Sequence, residues 1–270
     1  MSKIRSQKAN TQPRTRHLAL ATALVSISLS ANAGLLANGG FETGDFSAWH
    51  TVGLASVVGS VGSPEVLPTD GNHQAMLITP SANAGATDAL VGLPAGTIRS
   101  LMLSADWGGC TFGGCGPIAG SAMTQAFSAS AYQSISFDWR LLTYEGPMGH
   151  LYDVPFVAVI GPSSIAVSLL RASDFSAAPE SLAPASSTDA YYPLVKSEVQ
   201  TFTYRLPSAG EYTIGIGILS NWDTNNTSAI LVDNVHASIP EPETLPLLGL
   251  GLAAFLSIRS LPLRRFKKLA

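Results

Sequence analysis

Apolar and polar residues alternate in short segments through the middle of the chain. In Ser134–Leu142, the side chains of Ile135, Phe137, Trp139 and Leu141 fall on one face, with Ser, Asp and Arg on the other. This period of two is typical of a half-buried β-strand. The same pattern, or a short apolar run, predicts further strands at Trp49–Val58, Gln74–Thr79, Val154–Ile160, Ile165–Arg171, Val199–Leu206, Glu211–Ile218 and Ala229–Ala237.

Eight or more short strands separated by polar turns predict an all-β, antiparallel sandwich for residues 34–238. No long segment of this region has the 3.6-residue period of a helix. The Ala- and Pro-rich stretch Ala177–Ser187 lies between strands of similar character, so we interpret it as a surface loop of one domain. Gly215 and Gly217 fall inside a predicted strand, which indicates a bulge or a close backbone approach.

Charge is distributed unevenly along the 270 residues. Ten of the 15 Lys and Arg residues lie before residue 34 or after residue 258. Residues 34–239 carry 16 of the 18 Asp and Glu residues and only five Lys and Arg, a net charge of −11. Only 12% of all residues are charged, which argues against nucleic-acid binding. With 46% apolar residues and two cysteines, the chain is neither a disordered segment nor a disulfide scaffold.

The N-terminal residues 1–33 have the three parts of a secretory signal peptide. A basic stretch up to Arg16 precedes the apolar run Leu18–Leu29, and Ala31 and Ala33 follow. Small residues at these last two positions fit cleavage by signal peptidase, and the apolar run is too short to span a bilayer comfortably. The alternative is a buried core helix. We therefore predict a signal helix, export and a mature chain that begins after residue 33, in a compartment that permits disulfides.

The C-terminal residues 239–270 contain three elements in order. Ile239-Pro-Glu-Pro-Glu243 comes first, the apolar stretch Leu245–Ile258 second, and a basic cluster that includes Arg264 and Arg265 last. The apolar stretch predicts a short transmembrane helix. The basic residues hold its end in the cytoplasm, with the bulk of the chain outside.

These C-terminal elements resemble the PEP-CTERM sorting signal of Gram-negative bacteria. The resemblance implies recognition by an exosortase, a membrane-embedded cysteine protease-transpeptidase, and removal or replacement of the tail. Pro240, Glu241 and Pro242 are then the recognition residues. The alternative is a stiff polyproline linker in front of an ordinary anchor.

A second resemblance concerns the middle of the chain. Leu35–Trp49 resembles the opening strand of galactose-binding-like jelly rolls, including several carbohydrate-binding modules, and Leu231–Val235 resembles their closing strand. Asp70–Leu77 and Phe137–Glu145 resemble the middle strands of exported PEP-CTERM proteins with this domain. The resemblance implies that residues 34–238 form a jelly-roll β-sandwich.

This resemblance also implies a structural Ca²⁺ site. In such jelly rolls the Glu after the opening Phe and the Asp of the closing strand commonly bind the ion, and Glu42 and Asp233 match these positions. Asp70 and Asn72, in the turn before the strand at Gln74, could add to the six to eight oxygens that Ca²⁺ requires. The alternative is that Glu42 caps a turn and Asp233 is solvated.

Cys110 and Cys115 are separated by four residues, two of which are Gly. This spacing can bring the two Cα atoms to disulfide distance. In an exported chain we predict one disulfide, with two free thiols as the alternative.

Sugar binding would need exposed aromatic side chains, because sugar faces stack on Trp and Tyr rings. Turn-rich stretches supply Trp107, Tyr191, Tyr192 and Trp222 as candidate glycan contacts. The alternative for each is a lid over the edge of the core.

We predict no catalytic residues. Hydrolase, zinc-protease, phosphate-loop and dinucleotide motifs are absent from the sequence. The carboxylates Asp138, Glu145 and Asp153 could serve a glycosidase only if they converged, and we expect them to face solvent or to end strands.

Together these observations predict an exported, non-catalytic protein of the envelope or extracellular matrix, anchored transiently in the inner membrane. Its partners would be signal peptidase, an exosortase and exopolysaccharide, and its role structural or adhesive, as the family resemblance implies. The alternative is a carbohydrate-binding module for a defined glycan. A secreted hydrolase ranks third.

Overall fold

The computed structural model describes residues 36–61, 65–79, 82–104, 119–144, 153–172, 176–177, 194–220 and 227–238. Its strands are β1 (His50–Val52), β2 (Leu54–Val58), β3 (Gln74–Ile78), β4 (Ala82–Asn83), β5 (Ala119–Ala129), β6 (Ser134–Thr143), β7 (Asp153–Ile160), β8 (Ile165–Leu169), β9 (Ser176–Ala177), β10 (Val195–Lys196), β11 (Gln200–Arg205), β12 (Gly210–Ser220) and β13 (Ser228–Ser238). Two helices, α1 (Ala84–Leu90) and α2 (Thr97–Ser104), lie between β4 and β5 in the chain.

The strands form two antiparallel sheets, and successive strands cross repeatedly between them, as in a jelly roll. Sheet A has the order β1-β5-β12-β7-β8, with β4 also paired to β5. Sheet B has the order β2-β3-β13-β6-β10-β9, with β11 also paired to β6. The predicted antiparallel sandwich is therefore confirmed. The predicted signal helix and transmembrane helix lie outside the described residues.

The inward-facing side chains of the two sheets form the main core, as the alternating pattern predicts. On β6, Ile135, Phe137, Trp139 and Leu141 are all buried. They pack in one cluster with apolar residues of β3, β5, β7, β12 and β13. Burial of apolar area at about 25 cal/mol per Å² is the main favourable term for a sandwich of this kind.

The chain crosses from sheet A to sheet B at Gly53, between β1 and β2. Its φ of 84° lies in the left-handed region, and a Cβ there would lie 2.4 Å from Ser121 Oγ. Ser121 occupies this space: its hydroxyl accepts from Leu54 N at 2.9 Å and donates to Ile78 O at 2.6 Å. One serine thus joins strands of both sheets.

Helices α1 and α2 cover the outer face of sheet A. Val91, Ile98 and Met102 form a second apolar cluster with outward residues of β5, β7 and β12. A Cβ at Gly215 would lie 2.4 Å from Val91 Cγ1, so this glycine lets the end of α1 approach the sheet. Within the described ranges, neither helix is long and apolar enough to cross a membrane.

The sandwich has two distinct ends. At the tail end, β13 finishes at Ser238 beside the first residue of β6, Ser134. At the far end, Thr79 Oγ1 donates to Asp153 Oδ2 at 2.7 Å and accepts from Ser228 N at 3.0 Å. These far-end groups are buried.

Candidate functional site

Packing of the opening segment determines where Glu42 lies. Phe41 is fully buried and contacts the rings of Phe46 and Trp49 at centroid distances of 5.9 and 5.7 Å. Asn38 closes the turn, because its Nδ2 donates to Asp45 O at 2.9 Å. With Phe41 fixed in the core, the next side chain, Glu42, extends to the surface.

The same segment is attached to the last strand. Val235 N donates to Gly39 O at 2.9 Å, and a Cβ on Gly39 would lie 1.8 Å from Val235 O. Only glycine fits this contact. The strand is irregular here, since its pairing with β6 shifts between Asp233 and His236 and Asn234 has a φ of 52°.

Glu42 binds the loop that precedes β3. Its Oε1 accepts from Asn72 N at 2.8 Å and from His73 N at 2.9 Å. A Cβ on Gly71 would lie 2.4 Å from the same oxygen, which shows how closely the loop backbone approaches. His73 Nδ1 lies 3.7 Å from Oε2. The hydrogen bonds from the Asn72 and His73 amides lower the pKa of Glu42.

Asp233 binds the other end of this loop. Its Oδ2 accepts from Thr69 N at 2.8 Å, Thr69 Oγ1 at 3.1 Å and Asp70 N at 2.9 Å, and its Oδ1 accepts from Asn234 N at 2.7 Å. The side chain is buried rather than solvated. Burial raises the pKa of Asp233, and the hydrogen bonds from Asp70, Asn234 and Thr69 act in the opposite direction.

The structure therefore brings together all four residues of the predicted metal site. We call the group of Glu42, Asp233 and loop residues 69–73 the loop clamp. Sequence reasoning missed Thr69 and His73, which contribute through backbone amides, a hydroxyl and an imidazole. No sequence signal marks a backbone amide as a ligand of a distant carboxylate.

In the loop clamp, the two carboxylates accept hydrogen bonds, mostly from backbone N–H groups. Glu42 Oε1 accepts two amides, and Asp233 Oδ2 accepts two amides and a hydroxyl. A calcium ion requires six to eight oxygens with their lone pairs directed at the metal. The lone pairs of Glu42 Oε1 and Asp233 Oδ2 are directed at N–H and O–H groups instead, so these two oxygens, as placed, do not fit a calcium site. Among the described residues, no group of three or more His, Cys, Asp or Glu side chains could hold a metal ion. Calcium binding stays a prediction.

Two of the three carboxylates considered for hydrolysis do not converge. Asp138 lies on β6 in sheet B, where it accepts from Thr201 Oγ1 at 2.6 Å and Asn234 Nδ2 at 3.2 Å. Asp153 is the first residue of β7 in sheet A, so it ends a strand as expected, and its side chain is buried at the far end of the sandwich. Glu145 lies outside the described residues.

The remaining predicted site residues also lie outside the described residues. These are the cysteines, the four candidate glycan contacts and the sorting residues: Cys110, Cys115, Trp107, Tyr191, Tyr192, Trp222, Pro240, Glu241, Pro242, Arg264 and Arg265.

The predicted sorting residues lie in a segment that matches a known family. Residues 238–265 match the PEP-CTERM protein-sorting motif. The chain carries a PEP-CTERM sorting signal. The motif implies export, transit through the membrane and processing by an exosortase, as the order of the three C-terminal elements predicts. The match starts at Ser238, the last residue of β13, so the PEP-CTERM signal follows the sandwich directly.

No curated protein sequence matches the chain. Among solved structures, similarity is found to the carbohydrate-binding module TmCBM61 in complex with β-1,4-galactotriose, at 12% identity over 77% of this chain and 99% of that one, with a TM-score of 0.41. A family 16 carbohydrate-binding module has 10% identity over 76% and 99%, with a TM-score of 0.37. The enzymatically active domain of tailspike protein 4 of bacteriophage CBA120 has 9% identity over 77% and 21%, with a TM-score of 0.39. The strand pairing within the two sheets defines the β-sandwich fold of this chain.

Proposed function

We propose that the protein is an exported, non-catalytic β-sandwich that an exosortase delivers to the cell surface or extracellular matrix. Its role there is structural or adhesive, in association with exopolysaccharide. The observation that supports the sorting step is the PEP-CTERM match at residues 238–265. The matrix role and the exopolysaccharide partner rest on the family resemblance of the sequence.

The position of the motif relative to the fold supports removal of the tail. The last strand, β13, ends at Ser238, and the recognition residues begin two positions later at Pro240. Cleavage after the strand would therefore release the sandwich with all its described strands intact. A protein whose anchor overlapped a core strand could not lose the anchor without unfolding.

A non-catalytic role agrees with the use of the carboxylates in the described part of the chain. Glu42 and Asp233 accept hydrogen bonds from a loop, and Asp138 accepts from two neighbouring side chains. A glycosidase requires two carboxyl groups about 5 to 9.5 Å apart on either side of a substrate bond. Asp138 and Asp153 lie in different sheets.

The experiment replaces Pro240, Glu241 and Pro242 together with alanine in the host and follows both termini of the protein by mass spectrometry. We expect wild type to begin after residue 33 and to lose the residues beyond the Pro-Glu-Pro segment, while the variant accumulates as a membrane-bound precursor. Glu243→Ala is the matched control and should mature normally. A full-length tail on wild-type protein released into the medium would overturn the proposal.

The exopolysaccharide partner needs its own experiment. Mature protein should bind the polysaccharide of the host in a sedimentation assay, and a glycan array would reveal a defined ligand if the module is specific. Trp222→Ala and Tyr191→Ala should weaken binding without lowering the melting temperature. If wild-type protein stays in the supernatant at every polysaccharide concentration, the exopolysaccharide partner is wrong. Only the structural role would then remain.

A further inference from the structure

We propose that the Pro-Glu-Pro segment docks on the sandwich itself, against a surface next to its own exit point. This tail-exit surface consists of Tyr132, Ser134, Arg205 and Ser238. The inference rests on the proposed function only in taking residues 240–242 as the sorting motif. It adds that the folded domain holds this motif before the exosortase binds it.

The strand register places the members of the tail-exit surface side by side. Ser134 on β6 is paired with Arg205 on one side and with Ser238 on the other. Paired residues of neighbouring strands point to the same face of a sheet. Arg205 and Ser238 are both exposed, so the arginine side chain lies on the surface from which the tail departs.

Tyr132 lies just beyond the end of this sheet. Its amide donates to Leu206 O at 2.9 Å, which fixes the turn between β5 and β6 against the end of β11. The ring is 56% exposed, and Arg205 Cζ lies 4.7 Å from its centroid. Tyr132 has a φ of 66°, a costly conformation for a residue with a side chain. The fold thus holds a strained aromatic residue in solvent, with a cation against it.

The tail is long enough for the motif to reach this surface. If the pairing of β13 with β6 is counted on from Ser238 opposite Ser134, position 240 falls opposite Tyr132. Proline cannot donate a ladder hydrogen bond, so we expect strand pairing to end there. Arg205 and Ser238 are two strand spacings apart, about 10 Å. The three residues from Ser238 to Glu241 can span about 10 Å when extended.

The chemistry of the motif complements the surface. A Pro-x-Pro segment favours the polyproline II conformation, and such segments dock on aromatic side chains with a small loss of entropy. Glu241 carries a negative charge and Arg205 a positive one. Among the described residues, no carboxylate is within ion-pairing distance of Arg205. We therefore place the proline rings on Tyr132 and the Glu241 carboxylate at Arg205.

The test uses full-length precursor in membranes from cells that lack the exosortase, so that the tail is retained. Exposure of the segment is probed with an endoproteinase that cleaves after Glu. The bond after Glu241 is followed by proline and resists cleavage, so the enzyme cuts after Glu243. Mass spectrometry measures the cleavage rate. We expect Tyr132→Ala, Arg205→Glu and Glu241→Arg each to raise this rate about two- to fivefold, the range that a partly exposed ion pair supports.

Reversal of both charges provides the decisive comparison. The Arg205→Glu/Glu241→Arg protein restores the pair with opposite signs and should return to within about twofold of the wild-type rate. Lys196→Glu makes the same charge change on β10, near the far end of sheet B, and should leave the rate unchanged. All variants should melt at the wild-type temperature, which separates undocking from unfolding.

The inference is overturned if Tyr132→Ala and Arg205→Glu are cleaved at the wild-type rate, or if the double reversal is as fast as the single variants. The inference is also overturned if detergent, by dissolving the membrane, removes the protection of Glu243 from cleavage. The segment would then be shielded by the bilayer and not by the sandwich. Failure of the proposed function has a different signature: the triple-alanine tail would mature normally in cells that contain the exosortase.

Discussion

Glu42 and Asp233 hold the two ends of one loop, Glu42 from the opening segment and Asp233 from the last strand. The loop leads into β3, which pairs with β13 in sheet B. Loss of either carboxylate therefore frees a connection between the first and last parts of the domain. Asp233 is buried and Glu42 is partly exposed. Removing Asp233 should therefore lower the free energy of unfolding more than removing Glu42.

Asp233→Asn should be the more destabilising change in the loop clamp. The Asn side chain retains one acceptor oxygen, but its NH₂ group replaces the other. That group is itself a donor and would face N–H groups that donate to Asp233 in the wild type. We expect a loss of about 1–3 kcal/mol in the free energy of unfolding, measured by urea denaturation. Glu42→Gln should give a smaller loss. Glu65→Gln removes an exposed carboxylate and is the control; a loss as large as that of Asp233→Asn would contradict the assignment.

The contribution of Glu42 should depend on pH. Because its pKa is lowered in the folded state, its stabilisation is fully present above the unfolded value near 4.5 and is lost as the pH falls through the folded value. The melting temperatures of wild type and Glu42→Gln should therefore differ at pH 7 and converge towards pH 3. A constant difference across this range would show that Glu42 acts through packing rather than charge.

Calcium distinguishes the loop clamp from a metal site. If the carboxylates serve as N–H acceptors, Glu42→Gln and Asp233→Asn should lower the melting temperature in EDTA, and added calcium should not change that of wild type. If the predicted ion binds, calcium at about 100 times its Kd should add about 2.7 kcal/mol, and magnesium much less. Melting curves of folded wild type in EDTA, calcium and magnesium decide between the two outcomes.

Two glycines with the same backbone angle separate strain from crowding. Gly53 and Gly96 both have a φ of 84°, but a Cβ on Gly53 would lie 2.4 Å from Ser121 Oγ, whereas a Cβ on Gly96 would meet nothing within 4 Å. Gly96→Ala should cost about 1–2 kcal/mol for the left-handed conformation alone. Gly53→Ala should cost more in the same denaturation assay. Equal losses of stability would show that the backbone near Gly53 can move away from Ser121 to make room for a Cβ.

The predicted disulfide can be tested on exported protein. Peptide mapping without reductant should give one intrachain bridge between Cys110 and Cys115. The closed loop is short, so reduction should lower stability by only about 2 kcal/mol in the chain-entropy model. Quantitative alkylation of both thiols before reduction would contradict this prediction.

The strands with alternating apolar residues could be predicted from the sequence because one face of each is buried. The predicted Ser134–Leu142 and Glu211–Ile218 correspond to β6 and β12. In contrast, β5 (Ala119–Ala129) was not predicted, because Ala, Gly and Ser residues have weak strand preferences. Its partners β12 and β1 determine its conformation.

Two other features were also beyond sequence reasoning. Helices α1 and α2 are too short for a reliable 3.6-residue pattern and are held by packing on sheet A. The predicted strand Trp49–Val58 is divided at Gly53 into pieces that belong to different sheets. Glu42 and Asp233, which the sequence analysis names as metal ligands, both belong to the loop clamp. The backbone amides that they bind could not be predicted, because they are distant in the chain from both carboxylates.

The positions of β12 and β13 have a consequence for the timing of secretion. These last two strands are central: β12 lies between β5 and β7, and β13 lies between β3 and β6. A chain that is exported N-terminus first cannot complete either sheet until its final strands have been translocated. Closure then depends on contacts between distant parts of the chain, which are slow to form. The sorting tail immediately follows β13, so folding of the domain and arrival of its tail at the membrane should nearly coincide. A chaperone or a protease outside the cytoplasm would therefore encounter this chain as an open intermediate.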